Sequence, residues 1–185
     1  HIISFAPPSS GGILIAQMMQ MIAPYPVSVM GANTFESVSL MVEAQRRAYA
    51  DRAEHMGDPD FWKVPTTTLT SNAYAQDRMK DYQAGVAGNS KMIQAGVAKE
   101  SEQTTHFSVI DEAGNMVSVT TTLNDTYGNK TIVGGAGFLL NNEMDDFSIK
   151  PGVPNMYGAL GGEANAIQPG KRMLSSMTPT LVTKN

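Results

Sequence analysis

One junction constrains this chain more than any other. Residues 84–103 are Ala, Gly, Ser, Lys and Glu with little periodicity, and at Thr104 they give way to a run that alternates like a strand. Phe107 and Val109 alternate with His106, Ser108 and Ile110. Asp111-Glu112-Ala113-Gly114-Asn115 then supplies a glycine suited to a left-handed turn, and Met116 to Leu123 returns as a β-branched run. A hairpin from Thr104 to about Asn124 is predicted. The stretch before it reads as an exposed linker, where a chain tolerates a cut. A threonine heading a strand becomes a nucleophile only if the peptide bond before it is broken, for its own amine is then the base. Thr104 is the candidate.

The first half reads as helical. Phe5-Ala6-Pro7-Pro8-Ser9-Ser10-Gly11-Gly12 is loop chemistry, and Ser10 is placed to cap an apolar run from Ile13 to Ile22 that Pro24 ends. That run is too short to span a bilayer, which takes about 20 apolar residues, so it reads as a buried core helix with Met18, Met19 and Met21 filling gaps. Asn33 with Glu36 resembles a capping box. From there Phe35, Val38, Val42, Tyr49, Ala53 and Met56 recur at helical spacing to about His55. Gly57-Asp58-Pro59-Asp60 stops the helix. The acidic group Asp51, Glu54, Asp58 and Asp60 lacks the loop of an EF-hand and reads as a solvated helix end. A short helix capped by Ser71 is predicted over Ala73 to Tyr82.

Beyond the hairpin, Ile132-Val133 and Phe138-Leu139-Leu140 are short strand candidates. Pro151 to Gly162 is a loop long enough to suggest function. Helices first and strands later, without regular alternation, predict an α+β fold with antiparallel pairing. At 185 residues and 42% hydrophobic content the chain supports one domain. Thirteen basic residues against 17 acidic ones give a net charge of −4, and the basic ones are scattered. They form no footprint for nucleic acid and no polybasic membrane anchor. Without cysteine there are no disulfides or thiolate metal sites. The chain opens on His1 with no leader and closes on what reads as an unfinished strand, so a piece of a larger protein is expected.

There is no Gly-x-Ser-x-Gly elbow, Walker loop or His-Glu-x-x-His, and His1, His55 and His106 lie too far apart in sequence to suggest a metal. Asn124-Asp125-Thr126 and Asn129-Lys130-Thr131 match the short glycosylation pattern. What remains is a set of small polar side chains: Thr104, Thr122, Asn124, Glu143, Asp146, Ser175 and Ser176. On pattern alone they belong to strands and turns. If they converge, the Asn and carboxylates suit an ammonium group, while paired serines with an arginine suit a carboxylate, which together fit the zwitterionic end of an amino acid.

Thr104-Thr105-His106-Phe107-Ser108-Val109, Thr122-Leu123-Asn124, Leu140-Asn141-Asn142-Glu143-Met144-Asp145-Asp146-Phe147, Lys150-Pro151-Gly152-Val153-Pro154-Asn155 and Leu174-Ser175-Ser176-Met177-Thr178-Pro179 together resemble the γ-glutamyltranspeptidase family. Pro8-Ser9-Ser10-Gly11-Gly12, Tyr49-Ala50-Asp51-Arg52 and Gly57-Asp58-Pro59-Asp60-Phe61 extend the resemblance over essentially the whole chain. It implies a partial αββα N-terminal-nucleophile hydrolase sandwich made as a precursor that cuts itself between Gln103 and Thr104. Residues 1–103 then correspond to the end of a large subunit and 104–185 to the start of a small, mostly stranded one.

It further implies a γ-glutamyl acyltransferase and hydrolase acting on glutathione and similar amides, with acceptor amino acids or peptides as second substrates and no cofactor or metal. Thr104 is then the catalytic nucleophile, oriented by Thr122. Asn124, Glu143 and Asp146 bind the substrate's α-ammonium, and Ser175 and Ser176 its α-carboxylate. Family members carry Gln or Glu at the position of Glu143. Pro151 to Gly162 resembles a lid loop with Tyr157 as its gate. The family's carboxylate-binding arginine and oxyanion-hole glycines fall outside this sequence, so the 185-residue chain alone is expected to be inactive without the remainder of its two subunits. A periplasmic or secreted location follows by resemblance only. Alternatives are a same-fold amide hydrolase (a β-lactam side-chain acylase or a poly-γ-glutamate hydrolase) and a non-catalytic binding or assembly module.

Overall fold

The computed structural model describes residues 1–90, 92–93, 104–154 and 161–184. Helices α1 (Gly11–Ile22), α2 (Val27–Met30), α3 (Phe35–His55), α4 (Thr66–Leu69) and α5 (Asn72–Met79) occupy the first half. Strands β2 (Thr104–Ile110) and β3 (Met116–Thr122) form the predicted antiparallel hairpin, in register from Thr104↔Thr122 to Ile110↔Met116. At the ends of the chain β1 (Ile2–Ile3) pairs antiparallel with β4 (Leu181–Val182). Helices and small antiparallel sheets make this an α+β structure. The second half is less stranded than its residues suggest: the candidates at 132–133 and 138–140 meet only in the isolated bridge Ile132↔Leu139, because Gly135 and Gly137 turn the chain at positive φ between them.

α1 and α3 pack together and make two neighbouring cores. Ile13, Leu14, Ala48, Met56 and Leu69 form one, with Leu174 added from the second half. Met21, Leu40, Ala44, Ala75 and Met79 form the other. Of the three methionines expected to fill gaps, Met21 is buried and Met18 packs against both cores, but Met19 is exposed. The capping residues also differ from the pattern. Asn33 takes a left-handed φ of 55°, so Thr34, which is extended, caps α3 instead: its Oγ accepts from Ser37 N–H while Ser37 Oγ accepts from Thr34 N–H. Ser71 caps α5 as expected. Ser10 does not cap α1; its hydroxyl donates to the Ser175 carbonyl at 2.9 Å.

The largest departure is the buried face of α3. Phe35, Val38 and Val42 are exposed, while Ser37, Leu40, Glu43, Ala44, Arg47, Ala48 and Asp51 are buried. Periodicity weighs apolar residues, and here three of the eight buried residues of α3 are charged. These charges are buried because they are paired: Arg47 reaches Glu43 at 2.6 Å and Asp81 at 2.8 Å, and Asp51 pairs with Arg78 at 3.2 Å and accepts from Gln17 at 2.5 Å. Desolvation pushes the Glu43 carboxyl up. Hydrogen bonds from Arg47 and the Gly88 N–H, with the nearby arginine charges, more than offset it, and the pKa lies below the ordinary value.

The acidic group around the end of α3 is likewise not a solvated end. Glu54 and Asp60 are exposed, but Asp51 and Asp58 are buried. Asp58 accepts from the Arg172 backbone N–H at 2.8 Å and from its Nε and Nη2 at 2.9 and 2.5 Å. These bonds hold its carboxyl well below the usual carboxylate range despite burial. No cluster of three or more metal-ligating side chains occurs among the described residues.

Arg47→Met removes the closer of Glu43's two arginine partners, leaving Arg46 at 3.4 Å and the Gly88 N–H, and is expected to cost the intact protein up to about 3–5 kcal/mol of stability. Adding Glu43→Leu should recover most of that loss. Denaturant midpoints of the two variants check this; a double variant no better than the single contradicts it.

Candidate active site

The hairpin register sets Thr104 directly opposite Thr122, and directly opposed residues share a face of the ladder. Thr104, His106 and Ser108 therefore lie with Thr122, Thr120 and Ser118 on one polar face. There the His106 Nδ1 meets Thr120 Oγ1 at 2.8 Å, and Ser108 Oγ donates to Ser118 Oγ at 3.2 Å. The other face carries Phe107, Val109 and Val117, all exposed.

Just past β3 the chain turns at Asn124, buried with φ 74°. Its N–H donates to Thr122 Oγ1 at 2.9 Å, which ties the turn back to the residue opposite Thr104. The Asn124 amide donates to the Asn142 carbonyl at 3.3 Å, and Asp125 N–H donates to Asn142 Oδ1 at 2.9 Å. Burial and that bond leave Asn124 poorly displayed as a glycosylation acceptor. Asn142 leads into a 3-10 turn, Glu143–Asp146, which carries the predicted carboxylates.

Desolvation raises the Asp146 carboxyl to about 6, with the Glu143 and Asp145 charges adding to it and Arg52 opposing it. Desolvation raises Glu143 as well. Two half-buried carboxylates that ionise reluctantly form a place where an incoming cation is stabilised.

The serine pair arrives from the other side. A parallel bridge joins Ser9 to Ser175, with Ser10 N–H donating to the Ser175 carbonyl at 2.9 Å and Ser175 N–H to the Pro8 carbonyl at 3.1 Å. Gly11 permits this approach, since a Cβ there would lie 2.0 Å from Thr178 Oγ1. Ser175 Oγ accepts from Met177 N–H at 3.1 Å, and Ser176 Oγ accepts from Arg52 Nη2 at 2.8 Å. A hydroxyl has one proton and two lone pairs, so neither bond spends the serine's own donor. Paired O–H donors beside a guanidinium suit a carboxylate.

Two residues that pattern reading passed over link these parts. Arg52 lies on α3 inside the Tyr49-Ala50-Asp51-Arg52 motif, which carries the family resemblance but assigns it no role. Asn165 had none. Its amide donates to the Asp146 carbonyl at 2.7 Å and its Oδ1 accepts from Leu174 N–H at 2.9 Å, so one buried side chain spans the carboxylate turn and the serine segment. Thr104, Thr122, Asn124, Glu143, Asp146, Ser175 and Ser176 thus lie along one connected hydrogen-bonded and electrostatic path. Gln103 and the lid residue Tyr157 lie outside the described residues.

Asn165→Leu unpairs the Asp146 carbonyl and the Leu174 N–H, each worth about 1–3 kcal/mol when buried. Hydrogen exchange at the Leu174 amide is expected to quicken roughly 10- to 100-fold in the intact protein. Unchanged protection there contradicts the bridging role.

Comparison with known proteins identifies the family. The family model described as gamma-glutamyltranspeptidase matches residues 1–185. The glutathione hydrolase proenzyme of Escherichia coli (strain K12) is 49% identical over 187 residues, covering 100% of this chain and 32% of that protein. The acylase ACY 1 proenzyme of Pseudomonas sp. (strain V22) is 37% identical over 192 residues, covering 100% of this chain and 31% of its own length. The crystal structure of cephalosporin acylase from Bacillus halodurans superimposes on 100% of this chain and 30% of that one, with a TM-score of 0.74 at 21% identity, a likeness of fold. The chain spans about a third of the length of the curated relatives it matches. Its end-to-end match and its identity to these proenzymes make it a member of the γ-glutamyltranspeptidase family.

Proposed function

We propose that the full-length protein is a γ-glutamyl acyltransferase and hydrolase, acting on glutathione and other γ-glutamyl amides through an ester on Thr104. The reading is carried by the placement of Thr104 opposite Thr122 at the head of a path that runs through Asn124 and Asp146 to the serine pair. The name of the Escherichia coli relative, a glutathione hydrolase proenzyme, supports the substrate class.

In the precursor the Thr104 hydroxyl adds to the Gln103 carbonyl and its proton passes to the amide nitrogen; the C–N bond then breaks, which frees the Thr104 amine and leaves an ester that water hydrolyses to the Gln103 carboxylate and the Thr104 hydroxyl. That amine then takes the hydroxyl proton as Thr104 attacks the γ-carbonyl of the substrate. The leaving amine departs with a proton, and water or an acceptor amine resolves the γ-glutamyl ester. Thr122 orients the nucleophile. Asn124, Glu143 and Asp146 receive the α-ammonium, and the Ser175 and Ser176 hydroxyls the α-carboxylate.

The chain forms part of an αββα N-terminal-nucleophile sandwich, with the division between large and small subunits after Gln103. Its exposed Phe107, Val109, Ile110 and Val117 suit burial against the remainder of those subunits. The 185 residues alone are inactive on this reading, because oxyanion donors are supplied from elsewhere and losing even one costs about 2.7–4 kcal/mol. Tyr157 gates the pocket, and the parent is exported.

A same-fold amide hydrolase is the second reading, favoured by the acylase relative at 37% identity. The two part at the α-ammonium. For the leading reading, the full-length protein releases 4-nitroaniline from γ-glutamyl-4-nitroanilide in preference to glutaryl-4-nitroanilide, which lacks the amine, by on the order of 10²–10⁴-fold in kcat/KM. Equal rates favour the acylase.

The Asp146 carboxyl shapes the acid side of the pH dependence. Its pKa is raised to about 6, chiefly by desolvation, so below that pH it is protonated and offers an ammonium no charge. A limb in kcat/KM is therefore expected near pH 6, separate from the further rise as the Thr104 ammonium loses its proton to become the base, since this profile reports the free enzyme. Asp146→Asn should lower kcat/KM and abolish the limb. A wild-type profile flat from pH 5 to 7 contradicts this.

A further inference from the structure

The described hydrogen bonds leave one arginine at the centre of the head-group clamp. Arg52 comes from α3, not from either segment that carries the proposed substrate ligands, and its guanidinium forks. Nε donates to Ser10 Oγ at 2.9 Å, and Nη2 donates to Ser176 Oγ at 2.8 Å. Ser10 is buried and passes the connection on, its own hydroxyl donating to the Ser175 carbonyl at 2.9 Å. The guanidinium lies over the Tyr49 ring, 6.0 Å from its centroid, which limits its swing.

We propose that Arg52 is a positioning residue for substrate recognition, directing the Ser176 hydroxyl toward the substrate carboxylate and fastening the serine pair to the start of α1. This rests on the γ-glutamyl reading above. A hydroxyl that accepts from a fixed guanidinium has its proton on the far side, which makes Ser176 a donor with a set direction. Three charged groups act on Asp146: Glu143 and Asp145 from its own turn push its carboxyl up, and Arg52 from α3 pulls it down. One side chain thus acts on both halves of the clamp, steering the carboxylate site by hydrogen bond and the ammonium site by charge. Lysine would keep the charge but cannot make the two-pronged contact.

The test uses the full-length protein, with self-cleavage before Thr104 scored by mass spectrometry and steady-state kinetics on γ-glutamyl-4-nitroanilide across pH. Arg52→Met is expected to cleave itself and to raise KM roughly 10- to 100-fold, with kcat changed far less, as for loss of uniform binding. Its acid limb should move to higher pH. Arg52→Lys should raise KM and leave the acid limb where the wild type has it. A purely structural role would cost folded protein without moving the limb in the charge-dependent way. A cleaved Arg52→Met enzyme with wild-type KM and limb overturns the proposal. If that variant does not accumulate, Arg52→Lys decides, and a wild-type KM in it overturns the proposal too. Wild-type protein that cleaves no γ-glutamyl amide overturns both this and the reading it rests on.

Discussion

The joint between the two halves rests on a carboxylate with no exposure, Asp58, and on the arginine that reaches it from 114 residues away, Arg172. Three hydrogen bonds from one residue fix the backbone at Arg172 as well as its side chain. Two residues on, Leu174 enters the helical core, and directly after it the chain bridges to Ser9. The serine pair stands where it does because the preceding residues have been pinned from below. Asn165 then carries that position across to the carboxylate turn.

The same reliance on paired charge runs through α3. A helix whose inward stripe holds Glu43, Arg47 and Asp51 is stabilised only while each charge keeps its partner, since an unpaired charge in that setting is heavily penalised. Such an interior gives up some hydrophobic stabilisation and gains direction: ion pairs tolerate one geometry where methylenes tolerate many. α3 therefore sits at a fixed rotation against α1 and α5, and Arg52, one residue beyond Asp51, is presented toward the serine pair.

What could be read from residues alone follows from which interactions are local. The hairpin, its alternation and the span of α3 depend on neighbours two to four positions apart, and all are as their sequences suggest. The shift of the α3 cap to Thr34 turned on the left-handed φ of Asn33, which composition does not reveal. The buried face of α3 was misread because Arg78, Asp81 and Gln17, which make its charges tolerable, lie 27 to 34 residues away. The site residues were legible chiefly through resemblance to a family. As bare threonines, asparagines and serines they suit turns and strand ends, and only their connection through Asn142, Asn165 and Arg52 sets them apart.

Everything proposed about chemistry converges on the bond between Gln103 and Thr104, since Thr104 has no base of its own until that bond is cut. Intact-mass measurement of freshly purified full-length protein, beside Thr104→Ala and Thr104→Ser, tests this most directly. A fragment beginning at Thr104 is expected in the wild type, a slower appearance of the same cut in Thr104→Ser, and an uncut precursor in Thr104→Ala. A wild-type chain that stays whole, or a Thr104→Ala chain cut at the same place, contradicts it.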